Sequence, residues 1–251
     1  MNEDYEKIQK NFHITEDIKR FENRLKNPFL KEKEIRIASE ILKYLPLDGN
    51  ILEIGCGEGN NYFFLRELKK NVKYTGLDFS DSKILFAWNY FKTINAVLGN
   101  GLNLQFTDNS FDLVLCRDYL HHVDFDRKKA VEEALRVAKP TARVLFFESD
   151  GSKLLNRLFR FFLPAERGNI NSTPEKMLSL LSNYGKVELI NIEASFAVRA
   201  LGFFLGWSSN GFKHKLIISF YTIASIWEKI LICLIPEKNY LYKLYIIRKN
   251  N

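Results

Sequence analysis

Cysteine is scarce in this chain, and no cysteine is placed for metal binding. The 251 residues contain only Cys56, Cys116 and Cys233, with no C-x-x-C pair and no Cys/His spacing typical of a zinc site. An odd number of cysteines at long spacings favours a reducing compartment. We therefore expect a cytoplasmic, metal-independent protein.

Targeting and membrane-spanning signals are also lacking. The first residues, MNEDYEKIQKNF, contain no apolar core of the kind that a signal peptide needs. The most apolar stretch, 216–235, has only 12 residues before Glu228 and Lys229 interrupt it, whereas a transmembrane helix needs about 20. This stretch is predicted to be a buried or surface-lying helix.

The basic charge of the chain points to no particular partner. The formal net charge is +7, but lysine and arginine are spread along the sequence, so solubility explains them as well as an anionic partner does. Hydrophobic residues make up 46% of the chain, which is enough for a full core, and the 21 Phe and 11 Tyr indicate an apolar pocket or surface.

Short apolar strands alternate with helices after a helical N-terminal extension at 1–48. Strands are predicted at 50–55, 73–78, 94–99, 111–116, 142–149, 186–194 and 242–249. Helices are predicted at 31–45, 60–70, from 81, 126–138, 153–164, 174–185 and 216–235. The pattern predicts a doubly wound α/β fold in one domain over 1–251, with a core at 49–150 and a C-terminal part at 151–251.

A glycine turn, Gly55–Gly59, follows the first strand and is preceded by Glu53. Glycine lets the backbone turn tightly and approach a ligand closely. The turn is expected at the carboxyl edge of the sheet, where open α/β sheets bind ligands. The dinucleotide pattern G-x-G-x-x-G fails at Asn60, and no G-K-[ST] follows, which excludes the Walker A loop.

Further motifs follow the turn in order. The second predicted strand ends at Asp78. After it come four short motifs: L-x-F, D-x-S-F-D-L-V, L-H-H-V and R-V-x-K-P. With E-x-G-C-G-x-G, this series resembles the small-molecule class I S-adenosylmethionine (AdoMet) methyltransferases over about residues 45–150. The resemblance implies a Rossmann-like sheet of seven strands, mostly parallel with an antiparallel last strand, and a helical insert before that strand.

The resemblance also implies a set of cofactor-binding residues. Around the methionine part these are Glu53, Gly55, Cys56, Gly57 and Gly59, with Cys116 and Arg117 beneath it. Around the adenosine part they are Asp78 for the ribose hydroxyls, Phe79 against the adenine, and Asn100 and Gly101 at the adenine edge. A backbone amide at Gly55 or Gly57 is expected to meet the methionine carboxylate. Asn100 stands where the family often has Asp, and its carbonyl oxygen can still accept a hydrogen bond.

Candidate catalytic residues follow the fourth predicted strand. Histidine has the intrinsic pKa of a general base, so His121 and His122 are candidates for removing a proton from a hydroxyl acceptor. The resemblance implies that at least one of the two is structural. Tyr119 and Glu148 are candidate substrate contacts at the ends of strands.

The amphipathic pattern of the segment 153–163 is relevant to the identity of the methyl acceptor. Its cationic residues, Lys153, Arg157 and Arg160, share one helical face, and leucine and phenylalanine fill the other. This pattern suits a peripheral contact with a membrane and a lipid-like or glycan acceptor, or a lid that packs its apolar face on the protein.

The alternatives for function are a non-catalytic AdoMet-fold subunit and an RNA or protein methyltransferase. Nucleic acid is not expected as a partner, because an N-P-P-Y-type motif is lacking.

Overall fold

The computed structural model describes residues 18–26, 28–193 and 211–249. Two helices, α1 (Ile18–Lys26) and α2 (Pro28–Leu42), precede the sheet. The second helix begins at Pro28, three residues before the predicted start, because proline is well tolerated in the first turn of a helix. The rest of the predicted extension, residues 1–17, lies outside the described residues.

A seven-stranded sheet forms the centre of the protein. The strands are β1 (Asn50–Ile54), β2 (Lys73–Asp78), β3 (Asn95–Leu98), β4 (Phe111–Arg117), β5 (Ala138–Ser149), β6 (Gly185–Glu193) and β7 (Tyr242–Lys249). Their order is β3-β2-β1-β4-β5-β7-β6. Strand β7 runs antiparallel to both neighbours, and the pairings among β1 to β5 are parallel. The predicted doubly wound sheet with an antiparallel last strand is therefore confirmed.

Helices cover both faces of the sheet. They are α3 (Asn60–Leu68), α4 (Asp81–Tyr90), α5 (Arg127–Val137), α6 (Leu154–Phe162), α7 (Pro174–Leu181) and α8 (Gly211–Leu234). Residues of α2, α3 and α4 pack in one buried apolar cluster with one face of the sheet. Residues of α5 and α7 pack in a second cluster with the other face. Because helices cover both faces of the sheet, the sequences of the strands are continuous apolar runs.

Strand β5 is longer than predicted at its start. It begins at Ala138 and includes Pro140, whereas the predicted strand begins at 142. The β4–β5 register shifts between the pairs that involve Phe111 and Leu113. A proline lacks an amide donor and is tolerated at such an irregularity, so the strand continues through it.

The described C-terminal part contains two 3-10 helices that were not predicted and two α-helices with exposed apolar side chains. One 3-10 helix, Pro164–Asn171, follows α6, and the other, Glu237–Asn239, precedes β7. On α6, the side chains of Leu154, Leu158 and Phe161 are exposed. The prediction that the apolar face of this helix packs on the protein as a lid is therefore wrong for these three side chains. No helix within the described ranges is both long enough and apolar enough to cross a membrane.

Candidate active site

A cavity of about 450 Å³ opens at the carboxyl ends of β1, β2 and β4. This volume falls within the range of pockets that hold small molecules. Its wall comes from the turn after β1, the end of β2, the segment 99–102, the residues after β4, and Arg24 of α1. The cavity therefore lies where the sequence predicts a ligand.

The glycine turn forms one side of this cavity. Gly55, Gly57 and Gly59 all have left-handed backbone conformations, with φ of 78°, 53° and 85°. The Gly55 amide donates to the carbonyl of Leu77 over 2.7 Å, which ties the turn to β2. A Cβ added at Gly57 would point into open space beside the cavity, whereas one at Gly59 would lie 3.0 Å from Ile94 and Phe91. The three glycines thus hold the backbone shape.

Asp78 links the turn to the end of β2. One carboxylate oxygen accepts the amide of Gly57 over 2.8 Å, and the other accepts the amide of Ser80 over 3.0 Å. Burial raises the pKa of Asp78, while nearby Lys83 and these two amides oppose the rise. Each oxygen keeps a second lone pair for a ligand hydroxyl. Phe79, the next residue, lines the cavity with an exposed ring that offers a stacking surface.

Two buried polar atoms on the wall lack protein partners among the described residues: the hydroxyl of Tyr119 and Oδ1 of Asn60. Such atoms are costly unless they hydrogen-bond, so they indicate a polar ligand or water at this wall. Tyr119 packs close to Gly101, where a Cβ would meet its hydroxyl. Oδ1 of Asn100 accepts the amide of Leu102 over 2.9 Å and keeps one lone pair for an adenine amino group.

Glu53 is buried near the end of β1, just before the turn. Its carboxylate accepts hydrogen bonds from Asn61 Nδ2 over 2.6 Å and from the Tyr74 hydroxyl. Burial raises its pKa to about 7, against the lowering effect of these two donors. Glu53 is therefore partly protonated near neutral pH.

Arg117 is held by Glu34 of α2. The guanidinium donates to both carboxylate oxygens of Glu34, one of them over 2.8 Å, and to Oδ1 of Asn61 over 2.7 Å. Burial alone would raise the pKa of Glu34, but the charge and hydrogen bonds of Arg117 lower it to about 2. The N-terminal extension is thus joined by a buried ion pair to the residue predicted beneath the methionine part.

The two histidines occupy different environments. His121 is buried, with Nδ1 2.7 Å from Glu148 and Nε2 3.4 Å from Glu166. Burial would lower its pKa, but the two carboxylates raise it to about 9. His122 lines the cavity, and its ring centroid lies 4.0 Å from that of His121. Of the two histidines, His122 is the one that contributes to the cavity wall.

His121, His122 and Glu166 also bring three potential metal ligands within 4.8 Å of one another. No local spacing indicates this cluster, because Glu166 is far from the histidines along the chain. At neutral pH His121 carries a proton that a metal ion would have to displace. Metal independence stays a prediction.

Most of the predicted site residues line one cavity: Glu53, Gly55, Cys56, Gly57, Asp78, Phe79, Asn100, Gly101, Arg117, Tyr119 and His122. Four others are not part of the wall: Gly59, Cys116, His121 and Glu148. Cys116 is buried within β4, and burial raises the pKa of its thiol. Glu148 accepts the amide of Leu120 as well as binding His121, so it supports the loop behind the wall.

Several polar residues around the cavity were not predicted from the sequence. The cavity wall includes Arg24, Glu58, Asn60, Asn61 and Lys83, and Glu34 lies behind Arg117. Asn61 carries a local signal, since it follows the glycine turn directly. Arg24 and Glu34 belong to helices far from the motifs, so no spacing in the sequence connects them to the site.

Comparisons with known proteins agree with this geometry. Residues 52–146 match the family described as "Methyltransferase domain". The 2-phytyl-1,4-beta-naphthoquinone methyltransferase of Arabidopsis thaliana is 33% identical over 41% of this chain and 42% of its own length. The norajmaline N-methyltransferase of Rauvolfia serpentina is 30% identical over 38% and 34%. The chain thus spans less than half of these two relatives. The demethylmenaquinone methyltransferase of Bacillus licheniformis is 29% identical over 64% of this chain and 69% of its own.

Solved structures show the same fold. The phosphoethanolamine N-methyltransferase 2 of Haemonchus contortus, in complex with S-adenosyl-L-methionine, has a TM-score of 0.59 at 18% identity, covering 86% of this chain and 52% of that one. The YcgJ protein of Bacillus subtilis has a TM-score of 0.55 at 18% identity, covering 88% and 100%. Residues 52–146 are thus similar to a methyltransferase domain, and the described fold is that of solved AdoMet-dependent methyltransferases.

Proposed function

We propose that this chain transfers the methyl group of AdoMet to a small, apolar acceptor. The observation that carries the proposal is that one cavity wall joins the glycine turn, Asp78 and Phe79 to His122. A cofactor site and a candidate base therefore face the same space. When bound, AdoMet supplies a sulfonium methyl group that is already activated for displacement.

The protein has two tasks in such a reaction, which are to align the acceptor and to exclude water. Asp78 accepts hydrogen bonds from the ribose hydroxyls, and Phe79 stacks on the adenine. Glu53 and Asn61 form the polar wall at the amino-acid end of the cavity. These contacts fix the direction from which an acceptor approaches.

His122 takes the proton that a hydroxyl acceptor loses. His121 carries a positive charge between Glu148 and Glu166, with its ring against that of His122. In this proposal His121 and Glu148 are positioning residues.

The names of the relatives support an apolar acceptor with rings. Two relatives are named for a phytyl naphthoquinone and for demethylmenaquinone, and a third for norajmaline. The cavity beyond the turn has an apolar contribution to its wall from Val123 and Phe125. A quinone-like or alkaloid-like molecule therefore fits better than a nucleic acid.

We further propose that α6 and α8 rest on an anionic lipid surface, from which an apolar acceptor can enter. The exposed apolar side chains of α8 recur along its length, three or four residues apart except for one adjacent pair: Leu216, Phe220, Ile223, Ile226, Trp227, Ile230 and Leu234. Exposed apolar surface of this extent marks a contact site. Residues 153–163 carry three cations and no acid, and 211–234 carry three lysines and one acid, which suits anionic headgroups.

The cations of α6 do not all extend into water. Arg160 donates to the carbonyl of Gly151 over 2.7 Å and to Asn169 over 3.1 Å, and Lys153 donates to the carbonyl of Lys238 over 3.2 Å. The apolar side chains of α6 and α8 therefore carry the greater part of this contact, and the charges add a weaker attraction.

The proposed activity is tested by formation of S-adenosylhomocysteine with a panel of acceptors. The panel contains a prenylated naphthoquinol that lacks the ring methyl group, an indole alkaloid amine and a short RNA. Turnover with either of the first two, and none with RNA, is expected. Turnover with RNA alone contradicts the proposal, and AdoMet binding without turnover on any acceptor supports the non-catalytic alternative.

A further inference from the structure

Asp118, the first residue after β4, has a left-handed backbone conformation with a φ of 50°. Within the described ranges, Asn109 is the only other non-glycine residue with a positive φ. The amide of Asp118 donates to the carbonyl of Phe147 over 2.9 Å, which ties this conformation to β5. Such conformations cluster at sites that bind ligands, and Asp118 lines the cavity.

The carboxylate of Asp118 is oriented by Tyr242 of β7. The Tyr242 hydroxyl donates to Oδ2 of Asp118 over 3.0 Å, and it accepts a hydrogen bond from Nε of Arg117 over 3.3 Å. Burial and the negative charge of Asp118 raise the pKa of Tyr242, so its hydroxyl stays protonated and donates. One oxygen of Asp118 therefore has a fixed donor within the protein.

The other oxygen, Oδ1, is directed to no protein donor in the described part of the chain. The side chain of Asp118 is 42% exposed, whereas that of the preceding Arg117 is 8% exposed. A carboxylate oxygen accepts hydrogen bonds and donates none. Because Asp118 lines the cavity, Oδ1 can accept a hydrogen bond from a molecule bound there.

The position of Asp118 along the wall favours a contact with the acceptor. Asp118 belongs to the segment after β4 that also contributes His122, Val123 and Phe125 to the cavity. In the proposed function this segment supplies the base and the apolar surface for the acceptor. The cofactor contacts come from other segments, which are the glycine turn, the end of β2 and residues 99–102.

We propose that Asp118 determines acceptor specificity by accepting a hydrogen bond from a hydroxyl group of the acceptor, and that Tyr242 positions its carboxylate. The inference rests on the proposed function and deepens it. A hydroxyl pairs with Oδ1, whereas a carbonyl oxygen at the same place has no hydrogen to offer and is repelled by the carboxylate. The cavity therefore selects the reduced, dihydroxy form of a quinone-like acceptor over the oxidised form.

The test compares two ligands of the same shape. The first is the prenylated naphthoquinol that lacks the ring methyl group, and the second is the corresponding naphthoquinone, which has carbonyls in place of the hydroxyls. Calorimetry without oxygen measures the binding of each to the protein with S-adenosylhomocysteine bound. The wild-type protein is expected to bind the quinol at least about 10-fold more tightly. Asp118→Asn is expected to remove most of this preference, because an amide can donate to the quinone carbonyl.

The controls separate this role from a structural one. Asparagine tolerates the left-handed conformation, so Asp118→Asn should keep the backbone, and its binding of S-adenosylhomocysteine alone should stay within about twofold. Asn109→Asp is the matched control, because it places a carboxylate on a left-handed residue that is not part of the cavity wall. It should keep the preference for the quinol.

Each outcome decides the proposal. Equal binding of quinol and quinone by the wild type, or an unchanged preference in Asp118→Asn, overturns it. A loss of S-adenosylhomocysteine binding in Asp118→Asn overturns it as well, since Asp118 would then act on the cofactor. If Asp118→Asn does not fold, Asp118→Gly also accepts a positive φ and is expected to weaken only quinol binding. A wild-type protein that binds neither ligand overturns the proposed apolar acceptor instead, so the two failures are distinguishable.

Discussion

The imidazole of His121 lies 2.7 Å from the carboxylate of Glu148, and both side chains are buried. Glu166 approaches the other ring nitrogen to 3.4 Å. The two carboxylates raise the pKa of His121 to about 9, so the ring is a buried cation at neutral pH. This ion group supports the loop that carries His122 to the cavity.

The first prediction concerns stability between pH 6.5 and 9. The folded pKa of His121 is raised above its unfolded value of 6.5, so the folded protein holds a proton that the unfolded chain releases in this range. Stability is therefore full below pH 6.5 and is lost as pH rises through 9, by an amount on the order of 3 kcal/mol. Urea unfolding at several pH values measures this loss of unfolding free energy.

The control for this prediction is the neighbouring histidine. His121→Gln should remove most of the loss of stability between pH 6.5 and 9, whereas His122→Gln should keep it. A wild-type protein whose unfolding free energy is constant over this range would show that His121 is not a buried cation.

The second prediction concerns the ion pair between α2 and β4. Glu34→Gln leaves Arg117 buried without its counter-charge, which is expected to lower the unfolding free energy by about 3–5 kcal/mol at pH 7. The pKa of Glu34 is lowered, so in the wild type this contribution is present above pH 4.5 and is lost as pH falls towards 2. Urea unfolding at pH 7 and pH 3 measures both effects.

Glu32→Gln is the matched control, because Glu32 lies on the same helix in an exposed pair with Arg36. It should change the unfolding free energy by less than about 1 kcal/mol. Equal effects of the two substitutions would mean that the Glu34–Arg117 pair does not anchor the extension.

Local motifs predicted much of the fold and part of the site. The turn at Gly55–Gly59 follows β1, and Asp78 ends β2, the next strand. The order of these motifs along the chain therefore predicts that they lie close together, and the hydrogen bond between Gly57 and Asp78 joins them. Adjacent residues on a strand point to opposite faces. Arg117 and Cys116 therefore do not share a face, and only Arg117 reaches the cavity.

Long-range pairing explains what the sequence does not reveal. Glu34 and Arg117 are 83 residues apart, and Glu148 and His121 are 27 apart, so neither pair leaves a local pattern. Whether α8 is buried or lies on the surface was left open for a different reason. Composition alone does not separate these alternatives, because exposure depends on what packs against the helix.

The third prediction concerns His122 as a base. His122→Ala is expected to lower kcat about 100-fold or more with a hydroxyl acceptor, because water is then the base that must remove the proton. Binding of S-adenosylhomocysteine should stay within about twofold, since other residues hold the cofactor. Kinetics and calorimetry on the same preparation separate these effects, and an unchanged kcat would exclude His122 as the base.

The fourth prediction concerns the lipid surface. The protein should sediment with vesicles that contain anionic lipid, and the double variant Phe161→Ser, Trp227→Ser should lose most of this binding. Leu47→Ser is the control, because Leu47 is 83% exposed in the turn before β1 and belongs to neither helix. Absence of wild-type binding at low salt, or equal binding by the double variant, would contradict the proposed contact.

The central claim is that the glycine turn and Asp78 hold AdoMet, and calorimetric titration of AdoMet tests it most directly. The wild-type protein should bind with a stoichiometry near one. Gly57→Val forces a β-branched residue into a left-handed conformation beside the cavity, and Asp78→Ala removes the acceptor of two turn amides. Both variants should weaken binding at least about 10-fold. A wild-type protein that does not bind AdoMet, or variants that bind as the wild type does, would contradict the account.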